Sequence, residues 1–527
     1  HIDRLHSDVY SWLLRLMSRY QKKQLKPYGA VFDTDPHDID DSVYTDVINM
    51  RFNDGAAEKI GGEVVGSTTT AQATHLLFNG SHADPLWLYF GDGVARVTNF
   101  TDDKDIEGTA LTSGIDWDTS LFNTFPICNN TLDAPRYWGN DFVTPGTLAD
   151  LPAFPASTAC QAVRPFRGFL VALNITTSGV QAENRVLWSD ASDAGALPVS
   201  WDITDPTVLA GDTYLTDDKG EIIDGAQLRD LFVIYKTHST YIMRLIGGQG
   251  VMRVDKVQVN SGLLAKNCVV EFKGRHFVVA DGDIVLFDGQ NIESIADKRT
   301  KDTIFNDIDS DNFDRTYVVR DDRNDEIWVC YPSTGQSFSD KAAIWNWQDN
   351  TWTYRDLVNT RHIAPGVANF EASPTYAAST GIYDSYAGVT YKSFSSNPTV
   401  DTLSSAVTSA IHILGDSFDI DGSVMPSLLE KATMDLGDPD SIKIVKSVTP
   451  RITANTGTKI YIRIGTQFNP DDDISWGNEF LYTAGTDREA HFTEKGRYIS
   501  VRMRTQDIGA NWKCHGFFVS YAISGRH

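Results

Sequence analysis

Twelve histidines and five cysteines are the side chains best suited to hold a metal, and their spacing argues against one. No HExxH occurs and no two cysteines stand at CxxC spacing, so a zinc site has no ligand set in the sequence. Dinucleotide and phosphate-loop signatures are absent, as is the G-x-S-x-G elbow of a serine nucleophile. Carboxylates are abundant, with 70 Asp and Glu. A glycosidase pair among them is defined by separation in space, which sequence does not show. Asp307, Asp309 and Asp311 alternate like the start of a calcium loop, and Asp419, Asp421 and Gly422 do so faintly. Both lack the central Gly and distal Glu of an EF-hand and read as solvated acidic turns. No catalytic, cofactor-binding or metal-ligating residue is assigned.

The charge balance restricts partners. Net charge is −24 and the pI about 4.8. A chain of this sign repels polyphosphate, since DNA affinity comes largely from Lys and Arg displacing counterions. The balance argues against a sequence-reading DNA binder but leaves open a protein past which DNA slides without sticking. Cys128, Cys160, Cys268, Cys330 and Cys514 are odd in number and scattered. They read as small buried hydrophobes in a protein assembled in a reducing cytoplasm. No run of about 18 apolar residues predicts a membrane span, and no signal-peptide pattern is expected at the N-terminus.

The elements that would position any site are predominantly strands. A chain of 527 residues predicts two or three domains. Its 40 glycines and 11% aromatics suit short strands joined by tight turns. Residues 1–27 predict a basic amphipathic helical arm. Leu5, Val9, Trp12, Leu13, Leu16 and Tyr20 recur at helical spacing among Arg4, Arg15, Arg19, Lys22 and Lys23, and Pro27 stops the run. Residues 28–62 read as an extended strap ending in Gly61-Gly62.

From 63 to 396 short apolar strands flank turns at Gly91-Asp92-Gly93, Asp281-Gly282, Asn324-Asp325 and Asp349-Asn350. Such corners require positive φ and mark tight hairpins. Asp349-Asn350-Thr351-Trp352 is similar to the tail of a sialidase Asp-box turn but lacks its upstream spacing and central Gly, and reads as one of these hairpins. Aromatic hairpins at this spacing predict a β-propeller of six or seven blades of about 45 residues each. Residues 397–437 read as an insertion or linker, with short helices over 403–414 and 426–433. Residues 438–527 return to alternation: Ile460, Ile462 and Ile464 on one face, then Ile499, Val501 and Met503. That pattern predicts a C-terminal antiparallel β-sandwich. The fold class is thus mainly β, a propeller core with a C-terminal sandwich and a short helical arm.

Three blocks in order resemble one family. Residues 41–62, DSVYTDVINMRFNDGAAEKIGG, are similar to the opening of podovirus tail hub or nozzle proteins, the tail tubular protein B-like or phage stabilisation protein-like family. Met50 stands where that pattern commonly has Val. Phe166 to Asn174, then Arg185 to Asp190 and Trp201, look like the family's central blades. Gly496 to Arg502, with Trp512 and the closing Ser524-Gly525-Arg526, look like its last domain. Residues 1–26 match nothing expected there. The resemblance implies a non-enzymatic virion protein assembled in the host cytoplasm. It implies a homohexameric ring below the portal and tail adaptor whose propellers surround the DNA channel. A gate, plug or needle and outer fibres or spikes would be its partners, with double-stranded DNA passing transiently and no stable membrane insertion. Two other classes compete: a carbohydrate-active propeller, hydrolase or lectin, and a general scaffold or secreted adhesin.

Overall fold

Hairpin corners set the local structure. Asp325 and Asn350 take φ of 58° and 51°, and Gly93 and Gly282 take +68° and +76°, at the turns marked by sequence. The strands on either side pair as expected, with Val94 opposite Gly91, Asp283 opposite Ala280, Glu326 opposite Asp321 and Thr351 opposite Asn346. The computed structural model describes residues 20–27, 29–30, 43–53, 55–81, 86–247, 251–257, 261–358, 360–368 and 400–526. The chain is mainly β, and among the described residues the one α-helix is Lys298–Asp307, capped by Asp297. No described helix is long and apolar enough to cross a membrane.

Successive hairpins build antiparallel sets of four strands. Their first strands are His75–Asn79, Asp118–Phe122, Thr158–Phe166, Ile222–Leu228, Val269–Phe272, Tyr317–Asp321 and His362–Ala368. Each first strand packs on the next, and the seventh packs back on the first. Every neighbouring pair of sets shares apolar side chains. Phe166, Leu173 and Trp188 of the third meet Phe232 and Ile234 of the fourth. Trp328 and Ile344 of the sixth meet Ile363 and Leu403 of the seventh. Trp87 and Tyr89 of the first meet Ala406 and Ile411 of the seventh.

The seventh set is closed from a distance. Its outer strand is Glu63–Thr68, which pairs with Ala410–Leu414. The two glycines ahead of it permit that approach: a Cβ on Gly62 would lie 1.9 Å from the Asp419 carbonyl oxygen, and one on Gly61 would lie 2.6 Å from the Gly415 Cα.

The rest of the chain forms a second core. The sixth set continues through Asp46–Ile48 into Ser427–Met434, Tyr498–Thr505 and Lys459–Gln467, making a ten-stranded sheet. A seven-stranded sheet centred on Ser441–Ala454 and Trp512–Arg526 also takes the hairpin Met50–Asn53/Ala56–Lys59. One hydrophobic cluster joins the two sheets: Ile460, Ile462, Ile464, Val501 and Met503 from the first, Val448, Trp512, Phe517 and Val519 from the second. The alternation along 460–464 and 499–503 therefore points inward as expected, with Arg502 and Arg504 on the opposite face.

Three expectations are corrected. Tyr20–Leu25 is a strand paired with residues 517–522, not the end of a helix. Pairing with the long C-terminal strand satisfies its backbone and overrides the local helical spacing; residues 1–19 lie outside the described residues. Residues 403–414 belong to the hairpin Val400–Val407/Ala410–Leu414, and 427–434 is a strand, where helices over 403–414 and 426–433 were expected. Leu403, Ser404, Ser405 and Ala406 are all buried, so the strand shows no period-two signal. The segment read as an insertion thus completes both sheet systems, and the repeat of four-stranded sets runs to Leu414 rather than 396.

Gly62→Ala tests the closure. Driving a methyl group into backbone should cost about 1–3 kcal/mol in urea unfolding. Gly525→Ala, whose Cβ meets nothing within 4 Å, should be near neutral. Equal midpoints for the two variants would rule out tight docking at Gly62.

Candidate functional site

Charged side chains concentrate where the first strands converge. Arg164, near the end of the third first strand, lies between two buried carboxylates. Its Nη1 is 2.6 Å from Asp118 Oδ1. Its Nε and Nη2 donate to Asp224 Oδ1 and Oδ2, each at 2.8 Å, and Nη2 also donates to Asn267 Oδ1 at 2.8 Å. The carboxylates are further fixed by main-chain N–H groups: Val163 on Asp118 Oδ2 at 3.0 Å, Gly225 on Asp224 Oδ1 at 2.7 Å and Asn267 on Asp224 Oδ2 at 2.9 Å. Burial opposes the charge on Arg164, but Asp118 and Asp224 outweigh it and raise its pKa. Burial raises the pKa of Asp118 against the pull of Arg164.

Beside this clamp the first and seventh strands contribute His75 and His362, with ring centroids 3.9 Å apart. His75 Nε2 is 2.8 Å from Thr119 Oγ1. His362 Nδ1 accepts the Leu76 N–H at 3.3 Å, and its ring lies 4.9 Å from Tyr317. Burial holds His362 down to about 3. Burial, then His362, Lys266 and Arg164, hold His75 well below the ordinary histidine value. Between the fourth and fifth sets, His276 Nε2 donates to the Gln227 carbonyl at 2.9 Å, which leaves Nδ1 to accept the Tyr235 hydroxyl at 2.8 Å. Burial lowers His276 to about 4.

A second buried cluster fastens residues 43–63 to the sixth and seventh sets. Arg355 Nη2 and His412 Nδ1 each lie 3.3 Å from Glu63, on separate oxygens. Arg51 Nε is 3.2 Å from Glu326 Oε1, and the Trp328 indole donates to Glu326 Oε2 at 3.0 Å. Burial raises the pKa of Glu326, the foremost opposing charge being Arg51.

In both clusters the carboxylate oxygens face guanidinium, imidazole, indole or main-chain N–H groups. That is the arrangement of a structural clamp, with no activated nucleophile beside a base. A cleft of about 150 Å3 opens beside the histidine pair, lined by Lys266, Arg315, Phe338 and Arg361 among others.

The acidic runs singled out in the sequence serve turns. Asp309 accepts N–H groups from Asp311, Asn312 and Gly335, while Asp307 pairs with Lys341 at 2.8 Å. Asp419 Oδ1 accepts the Gly422 N–H at 3.1 Å. Asn350 accepts the Trp345 indole at 3.0 Å inside its hairpin. All five cysteines are free and buried, as small apolar residues would be. Arg164, Asp118, Asp224, His75 and His362 were not singled out by sequence. These five residues come from the first strands of five different sets, so no local motif marks them.

No protein-family model matches the chain, and no curated protein does. Among solved structures it is similar to the computationally designed Ika8 protein, at 9% identity over 75% of this chain and 100% of that one, with a TM-score of 0.36. It is similar to PorZ, a surface component of the type-IX secretion system of Porphyromonas gingivalis, at 9% identity over 71% and 43%, TM-score 0.35. The AfRom2 CNH domain matches at 6% identity over 68% and 97%, TM-score 0.35. Likeness at this level carries no argument about what the chain does.

Two measurements probe the convergence. Arg164→Met should destabilise by about 3–5 kcal/mol, because it strands Asp118 and Asp224 without a cation; a loss below about 1 kcal/mol in urea would contradict the clamp. For His362 the folded pKa, about 3, lies below the ordinary 6.5. Its contribution is therefore complete above pH 6.5 and lost as pH falls toward 3. His362→Asn should flatten the fall in urea midpoint between about pH 6.5 and 4. Parallel pH profiles for wild type and variant would show that this histidine is not buried neutral.

Proposed function

We propose that the chain is a structural, non-catalytic subunit of a short phage tail, a ring-forming nozzle that extends the DNA channel outward. The carrying observation is that the three strings resembling the nozzle family coincide with segments that hold the fold together. Residues 43–60 join the two sheet systems, 166–190 contain two of the third set's four strands, and 496–502 contain most of the strand Tyr498–Thr505 of the second core. On this reading the seven sets are the blades of a β-propeller, and their cyclic packing with closure by Glu63–Thr68 supports it. The two C-terminal sheets sharing one core form a β-sandwich.

The convergence of the first strands is filled by Arg164, Asp118, Asp224, His75 and His362. A filled axis suits a rigid block and not a conduit, so DNA passes between copies around a shared centre. Six copies of a −24 chain carry a formal charge of about −144, which discourages adhesion of passing DNA. A closed ring requires the same head-to-tail contact in every copy. Its work is mechanical: to retain the genome until a change of state in the assembled tail lets it pass.

Negative-stain microscopy of the chain mixed with its phage's portal and adaptor tests this. Six-fold rings capping the adaptor are expected. Particles that never join the adaptor would sink the tail reading and leave a carbohydrate-active propeller as the next hypothesis, to be followed by polysaccharide-degradation assays.

A further inference from the structure

The cleft beside His75 and His362 contains cations that the rest of the fold does not neutralise. Phe338 is half-buried, and two guanidiniums lie against its ring, Arg361 at 4.4 Å and Arg315 at 4.9 Å from the centroid. The ring eases their desolvation without cancelling their charge. Among the described residues neither arginine has a carboxylate within 4.0 Å, and Arg315 uses one N–H on the Ser337 carbonyl. Burial and then Arg315 lower the pKa of Arg361. Lys266 has its Nζ buried and without a hydrogen bond; the carboxylate within 4.0 Å of it is Asp116, 3.4 Å away and itself largely exposed, and Lys266 also acts at longer range on Asp118, which Arg164 already holds. Among the described residues Asp314 is the other carboxylate lining the cleft, so three cations face two exposed acids there.

Several other arginines in the fold already have carboxylate partners. Arg504 makes a bidentate pair with Glu479, Arg502 pairs with Glu430, and Arg355 and Arg51 are matched by Glu63 and Glu326. The contrast lies in the partners, not in the residue type.

We propose that this cleft binds a small oxyanion, a phosphate ester or a dicarboxylate, held by Arg361, Arg315 and Lys266. The remaining guanidinium N–H groups and the ammonium supply charge-assisted donors that the protein leaves unused. The about 150 Å3 of space limits the bound part to one anionic group with its immediate substituent. The site goes beyond the tail reading and does not depend on it, because it rests on this cleft alone.

Isothermal titration of the intact chain at low salt, with inorganic phosphate and separately with succinate, tests the proposal. Saturable binding of at least one anion is expected, and the stronger of the two identifies phosphate or carboxylate as the group selected. Arg361→Gln and Arg315→Gln should each weaken it by about tenfold or more. Arg253→Gln, which alters an exposed arginine paired with Asp255, should leave it unchanged. Near-UV circular dichroism confirms that each variant is folded. Absence of binding by either anion at about 10 mM, or wild-type affinity in both cleft variants, overturns the proposal.

Discussion

A four-stranded sheet of this size has two faces to bury and no second layer of its own, so only its neighbours can cover them. Everything else in the molecule follows from that constraint. The first set would present Trp87 and Tyr89 to water if the seventh did not supply Ala406 and Ile411. Burying such aromatics contributes about 1.5–3 kcal/mol each, more than any exposed ion pair on the surface supplies. The series must therefore return to its start, and the chain makes the return by lending Glu63–Thr68 to the last set. Closure of this kind joins residues about 350 positions apart. Loop-closure entropy grows only logarithmically with that separation, so the burial gained at the seam outweighs it.

The short segment before the closing strand does a second job. Asp46–Ile48 lies between the sixth set and Ser427–Met434, so one sheet runs continuously from the cyclic series into the second core. Asn49 tightens the joint: at φ 55° its side chain donates to the Pro426 carbonyl at 2.8 Å and accepts the Asp356 N–H at 3.0 Å. Asn is among the few residues that tolerate this conformation and also offer both a donor and an acceptor. Glu63 and Arg51 then anchor the same segment to Arg355 and Glu326. Bending between the two sheet systems would have to break these buried charge pairs as well as backbone ladders.

What could be read from sequence was what is local. Hairpin corners at Gly93, Gly282, Asp325 and Asn350 were legible because positive φ restricts residue type. The alternation of Ile460, Ile462 and Ile464 was legible because one face of that strand meets apolar partners and the other does not. Leu403–Leu414 was misread because burial on both faces erases the period, leaving a run that fits helix or strand equally. The clamp was invisible for a different reason. Arg164 and Asp224 are 60 residues apart, each a single polar residue in its own strand, and only the cyclic packing makes them partners.

The buried charges also explain where the acidity of the chain resides. Among the described residues Lys59, Lys236, Arg355, Lys431 and Lys443 are buried, against Glu63, Asp118, Asp224, Asp321, Glu326 and Glu430. Several of the cations are held by carbonyl oxygens: Lys443 by Asp438, Ser441 and Arg497, Lys59 by Phe418. Interior positive and negative groups among the described residues therefore nearly cancel, so the acidic excess of those residues lies outside the buried interior. A net negative surface keeps copies of the chain and passing polyanions apart at long range. Ring contacts between copies must then come from apolar or locally matched patches that act within the screening length of about 8–10 Å. Against that acidic exterior, a pair of guanidiniums on one phenyl ring without a carboxylate is an exception, and it is there that an external anion gains most from binding.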